Sequence, residues 1–134
     1  MPRGSHTAVV RGGRAVLLDA RREPARKAYA AWKIAVDAAA REAMGDDALL
    51  DGALALHVTF WLRPPKNETR AQRQRAYCGT RPDADKLLRA IEDPMSGVVY
   101  VDDARIVLVR VEKLYARDRA PGAHVIVTTI PEGP

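Results

Sequence analysis

Cysteine is almost absent from this chain. Cys78 stands alone, so no intramolecular disulfide can form and no site built on several thiolates can exist. No apolar run approaches the roughly 18 residues of a spanning helix. The N-terminus also lacks the layout of a secretory signal. A cytoplasmic protein with no membrane partner is the expectation. The three histidines, His6, His57 and His124, lie far apart, and none has a partner at metal-ligand spacing. His57, on the polar side of an alternating segment, reads as structural. The chain also has no glycine-rich nucleotide loop, which argues against a sugar-nucleotide enzyme built on a D-x-D motif. No internal repeat is visible, and nothing marks a second domain.

What is present is positive charge. The 134 residues carry a net charge of +5, and 17 of the 22 basic residues are arginine. Arginine is the side chain best suited to bidentate phosphate contact, so a polyanionic partner is favoured. The opening Met1-Pro2-Arg3-Gly4-Ser5-His6 has the composition of a thrombin-cleavable tag or a shortened start, and no fold argument rests on it.

The pattern along the chain predicts a single small domain of the α/β or α+β class, with two helices and a mixed β-sheet over residues 1–134. Ala8-Val9-Val10 and Ala15-Val16-Leu17-Leu18 flank a Gly12-Gly13 turn and read as a hairpin. A helix is expected from Glu23-Pro24 to about Met44, stopped by Gly45, with Tyr29, Trp32, Val36 and Ala40 as its apolar stripe. Residues 53–62 alternate: Leu54, Leu56, Val58, Phe60 and Leu62 share one face, His57 and Thr59 the other. Trp32 and Trp61 belong to these patterned segments and read as core or interface. From Arg63 to Arg81 the periodicity vanishes. Six basic residues there (Arg63, Lys66, Arg70, Arg73, Arg75, Arg81) face the single acid Glu68, which predicts a mobile basic loop able to contact nucleic acid. A short helix is expected from about Asp83 to Pro94, burying Leu87, Leu88 and Ile91. Strands follow from Ile106 to about Leu114, with Val107, Val109 and Val111 on one face, and from Val125 to Ile130.

The acids are concentrated. Six of the 17 (Asp83, Asp85, Glu92, Asp93, Asp102, Asp103) fall within residues 83–103, directly after the basic loop. If the helix packs beside the following strand, three or four carboxylates can converge. Such a group repels itself unless protons or a cation intervene. Its hard oxygens suit Mg²⁺, with Mn²⁺ as a substitute, and that ion can also meet phosphate oxygens. The plainer reading is that Asp83 is an ordinary helix cap, that Asp102-Asp103 is a turn, and that Asp85 and Arg89 form a surface ion pair at i,i+4.

A resemblance decides between these. Arg81-Pro82-Asp83-Ala84-Asp85-Lys86-Leu87-Leu88-Arg89, then Gly97-Val98-Val99-Tyr100-Val101-Asp102-Asp103-Ala104-Arg105-Ile106, then Val111-Glu112-Lys113 resembles the signature of the RusA family of Holliday-junction resolvases. The likeness covers residues 81–115. It implies metal-dependent cleavage of four-way DNA junctions by a homodimer that makes paired nicks. It further implies that Asp83, Asp85 and Asp103 are the essential carboxylates, with Asp102 beside them in holding the metal. Arg89 stands where the family has a lysine. It keeps the positive charge but cannot relay a proton, so an electrostatic role is expected of it. Lys86 and Arg105 replace an asparagine and a glutamine, adding positive charge that would meet DNA. Pro94 replaces an alanine and is expected to end the helix sooner. The family's first strand, ahead of an arginine-rich stretch, is not evident in this chain. The expectation is therefore a junction resolvase of phage or prophage type. Its rivals are a non-catalytic DNA-binding module and a nuclease for other branched DNA.

Overall fold

In a computed structural model, residues 6–10, 13–20 and 29–131 are described. Five strands form one mixed sheet: β1 (His6–Val10), β2 (Gly13–Ala20), β3 (Leu54–Leu62), β4 (Ile106–Tyr115) and β5 (Gly122–Thr129). Their order is β1-β2-β5-β3-β4. All neighbours are antiparallel except β3 and β4, which run parallel. Parallel neighbours need a long crossover, and here it is the stretch 63–105, which carries both the basic segment and the second helix. Helices α1 (Tyr29–Met44) and α2 (Ala84–Met95) share a hydrophobic core with the sheet. The result is the α+β domain that the pattern predicts.

β3 is the spine of that core. Leu54, Leu56, Val58, Phe60 and Leu62 are all buried, while the residues between them are half-buried. The period-2 alternation thus separates the covered face from the open one. Val125 and Val127 of β5 and Val16 of β2 lie on the same covered side. Trp32, Val36 and Ala40 of α1 pack down on it. The Trp32 and Phe60 rings meet at 6.4 Å and 45°, and an aromatic side chain of this kind buries about 150–250 Å². α1 closes at Gly45, whose φ of 54° is a conformation that costs other residues a Cβ clash. There the Gly45 N–H donates to the Arg41 carbonyl at 2.9 Å. The expected helix start at Glu23-Pro24 lies outside the described residues, as do the hairpin's Arg11-Gly12, the opening segment 1–5 and the Tyr29 side chain.

α2 ends within a residue of the expected Pro94, but the proline is not its last residue: the helix runs to Met95. Proline's missing N–H falls in the last turn, and the chain still turns because Ser96 N–H reaches the Glu92 carbonyl at 3.1 Å. The stop comes at Gly97, with φ of 80°. Its N–H donates to the Tyr100 carbonyl at 2.8 Å, and the turn drives Val99 and Tyr100 fully into the core.

β4 is an edge strand. Val107, Leu108 and Val109 are 59%, 62% and 47% exposed. Of the valines expected to share a face there, only Val111 is packed against the core. The reason is position: an outer strand has a neighbour on one side only. Among the described residues no helix is long and apolar enough to cross a membrane.

Candidate active site

The acidic segments meet around Tyr100. Its ring is buried, and its hydroxyl donates to the Glu92 carbonyl at 3.1 Å. Burial pushes the phenol's pKa upward, and Glu92, Asp103, Asp93 and Asp102 push it further. Four carboxylates therefore bear on one buried ring, two from the last turns of α2 and two from the turn before β4.

Asp102 caps the short 3-10 turn Asp103–Arg105, its carboxylate accepting from the Ala104 N–H at 3.1 Å. That hydrogen bond, followed by one shared with Asp103, holds Asp102 below the ordinary aspartate range. Asp103 moves the other way. The hydrogen bond that its protonated form can donate to Asp102 raises it first, with desolvation and the charges of Asp102 and Asp93 adding to the effect. The two neighbouring carboxyls thus shift in opposite directions, each in part through the other. Glu92 is raised by burial and then by Asp103 and Asp93, with Arg89 opposing.

Asp83 caps α2 with extended backbone (φ −67°, ψ 143°) but makes no side-chain capping bond. Asp85 lies in the first turn, and both carboxylates are exposed. Asp85 and Glu92 are seven residues apart, so they share a helical face about 10 Å apart along the axis. Arg89 lies between them. Asp102 and Asp103 are thus brought together and joined by Glu92 and Asp93, whose convergence the sequence reading did not specify. Among the described residues no three histidine, cysteine or acidic side chains stand close enough to hold a metal ion by themselves.

The basic segment has more structure than its lack of periodicity suggests. Thr69 and Gln72 form a reciprocal capping box: the Thr69 N–H donates to Gln72 Oε1 at 2.8 Å, and the Gln72 N–H to Thr69 Oγ1 at 3.2 Å. The T-x-x-Q spacing was the readable signal for it. Glu68, the segment's one acid, is held by Arg117 through two bonds of 2.8 and 3.0 Å. Arg117 also donates to the carbonyls of Gln72 and Arg75, both at 3.0 Å, and lies 4.9 Å from the centre of the Tyr115 ring. Arg63, Lys66, Arg70, Arg73, Arg75 and Arg81 all remain exposed, as do Lys86 and Arg89. Arg105 pairs with Asp51 at 3.2 Å. His57 has a structural partner in Glu112 at 3.0 Å, and Trp61 lies under the Arg119 guanidinium at 3.4 Å.

The fold is a one-domain α+β sheet with acidic turns and an exposed arginine-rich arm, and comparison with known proteins gives the family. The family described as endodeoxyribonuclease RusA matches residues 7–128, and the chain belongs to it. It is thereby an endodeoxyribonuclease of the Holliday-junction-resolving kind, a family that acts on branched DNA. The chain is also similar to the uncharacterized protein YqaN of Bacillus subtilis (strain 168), at 24% identity over 96% of this chain and 87% of that protein.

Proposed function

We propose that the chain is a Mg²⁺-dependent endonuclease that resolves four-way DNA junctions by paired symmetric nicks, working as a homodimer. The observation that carries the metal dependence is the Asp102–Asp103 pair. Two adjacent exposed carboxyls, one lowered and one raised, stand with the charge of Asp93 acting on Asp103, and a divalent cation would relieve that repulsion. The donors are all hard oxygens. Mg²⁺ needs only one or two carboxylates, because water and substrate phosphate complete its shell. A cage of three protein ligands is therefore not required. Asp102 and Asp103 would hold the ion, with Asp83 and Asp85 joining from the start of α2. When bound, such an ion polarises the phosphodiester and eases deprotonation of the attacking water.

The chain's own residues do the rest. The exposed arginines of 63–81, with Lys66 and Lys86, grip backbone phosphates and read shape and charge more than bases. Arg89, exposed on α2 between Asp85 and Glu92, offers positive charge to the scissile phosphate without exchanging protons. Two equivalent nicks across a junction call for two sites related by a two-fold axis, which is the ground for a homodimer.

The test is gel-resolved cleavage of a synthetic four-way junction, in Mg²⁺ and in EDTA, by the native protein and by Asp103→Asn. Paired nicks that need metal, and that fall by about 100-fold or more in the variant, support the reading. Binding without cleavage in either Mg²⁺ or Mn²⁺ points instead to a non-catalytic module. Equal cutting of flaps and forks points to a general branched-DNA nuclease.

A further inference from the structure

Lys113 occupies an unusual place. On β4 it stands opposite Phe60 of β3, and residues paired across neighbouring strands share a face. Phe60 is fully buried beneath the helices. An ammonium on that side of a sheet must find partners or lose much of its hydration energy. A carboxylate would be the usual choice, and several stand nearby in the chain. Lys113 instead donates to two main-chain carbonyls, Thr80 at 2.6 Å and Pro82 at 2.8 Å. Pro82 directly precedes Asp83, the cap of α2.

The main chain around this grip is fixed on both sides. The Cys78 N–H donates to the Lys113 carbonyl at 2.8 Å, and the Tyr115 N–H to the Ala76 carbonyl at 2.8 Å. Segment 76–78 is therefore tied to β4 through its backbone. Beyond Cys78 the Lys113 side chain of β4 hydrogen-bonds the link to α2. Past it, the first helical hydrogen bond runs from the Leu87 N–H to the Asp83 carbonyl at 3.1 Å. Asp102 and Asp103 lie immediately before the same β4 strand. One strand therefore positions both halves of the acidic site, the near half through the chain itself and the far half through the Lys113 ammonium.

We infer that Lys113 is the positioning residue for Asp83 and Asp85: by clamping the Thr80 and Pro82 carbonyls it sets where the start of α2 stands relative to Asp102–Asp103. The inference deepens the metal-nuclease reading and rests on it for its consequence, though not for its geometry. Lys113 touches neither DNA nor metal in this scheme. Its charge stays on carbonyl oxygens, and its effect reaches the reaction through the carboxylates it aligns.

The experiment compares the native protein with Lys113→Met, which keeps the apolar stem, and Lys113→Arg, which keeps charge and donors. Three quantities are read: amide hydrogen exchange along α2, Mn²⁺ binding without DNA by electron paramagnetic resonance, and junction binding in EDTA. Lys113→Met should speed exchange at residues 87–90, the first hydrogen-bonded amides of α2, by about tenfold or more while leaving α1 unchanged, and should weaken Mn²⁺ binding several-fold. Junction binding in EDTA should change less than about two-fold, and Lys113→Arg should recover most of the Mn²⁺ affinity. Unchanged exchange at 87–90 overturns the inference. A parallel loss of junction binding in EDTA also overturns it, because Lys113 would then be a phosphate contact. General loss of protection in Lys113→Met transfers the decision to Lys113→Arg, where native exchange with native Mn²⁺ binding upholds the clamp and loss of both overturns it. Failure of the native protein to bind Mn²⁺ counts against the metal reading alone, and the exchange data still decide the clamp.

Discussion

At the scale of single residues two neighbouring aspartates are shifted in opposite directions. Asp102 is lowered chiefly by the Ala104 N–H, and Asp103 is raised by the carboxylate beside it. Only an ionised carboxylate holds a divalent cation, so metal affinity depends on pH. The sign follows from the direction of the Asp103 shift. A raised pKa keeps that side chain protonated to a higher pH than an ordinary aspartate. The half-saturating Mg²⁺ concentration for cleavage should therefore climb as pH is lowered from neutrality, starting above the usual aspartate range. Asp103→Asn should lose this acid limb along with most activity. A flat Mg²⁺ requirement down to the ordinary aspartate pKa would remove Asp103 from the metal site. The sequence showed that acids cluster at 83–103, but not which of them meet. Glu92 and Asp93 approach Asp103 only because α2 returns alongside the turn before β4, and no local spacing encodes that return.

At the scale of elements the arm and its anchor matter most. Arg117 satisfies Glu68 and two carbonyls at once, so the arm's only acid is occupied and its other charges face outward. Glu68 is held below the ordinary glutamate range, chiefly by its hydrogen bond to Arg117. A depressed carboxylate pKa contributes stability that is present above the unfolded value and lost as pH falls through the folded one. Arg117→Ala should therefore loosen the arm at neutral pH, and acidification should loosen it in the native protein. Limited trypsin digestion checks this: cleavage after Arg70 and Arg73 should become several-fold faster in the variant, with the core left intact. The strands and helix faces were legible because alternation and three-to-four spacing are local. β3 shows it best, since each residue's face follows from its parity. The Glu68–Arg117 anchor was not legible, because nothing in either neighbourhood points across the chain to the other.

At the scale of the whole molecule charge is the dominant variable. A net charge of +5, with six exposed basic side chains on one arm, should make junction binding steeply salt-dependent. Each phosphate contact contributes about −0.9 to the slope of log K against log salt. Replacing Arg70 and Arg73 together by glutamine should flatten that slope by about 1.8 if both meet phosphate, as read by binding titrations across a salt series. A slope unchanged by the double variant would show that this arm is not the DNA grip. The sequence carried this charge in plain view. It also carried the family likeness, through the run from Arg81 to Lys113, because the motif residues are local even though their meeting is not.

The parallel pairing of β3 with β4 has a kinetic side as well. Antiparallel neighbours such as β1 and β2 can zip from a short turn, but β4 must wait until the chain has come back through residues 63–105. Closing so long a loop costs entropy before any contact repays it, and distant pairings of this kind slow folding. The anchor at Glu68, the backbone ties at residues 76–78 and the grip on Pro82 all shorten that search in stages. The segment proposed to meet DNA thus also gates the pairing of β3 with β4, and substitutions that loosen its anchors should delay refolding.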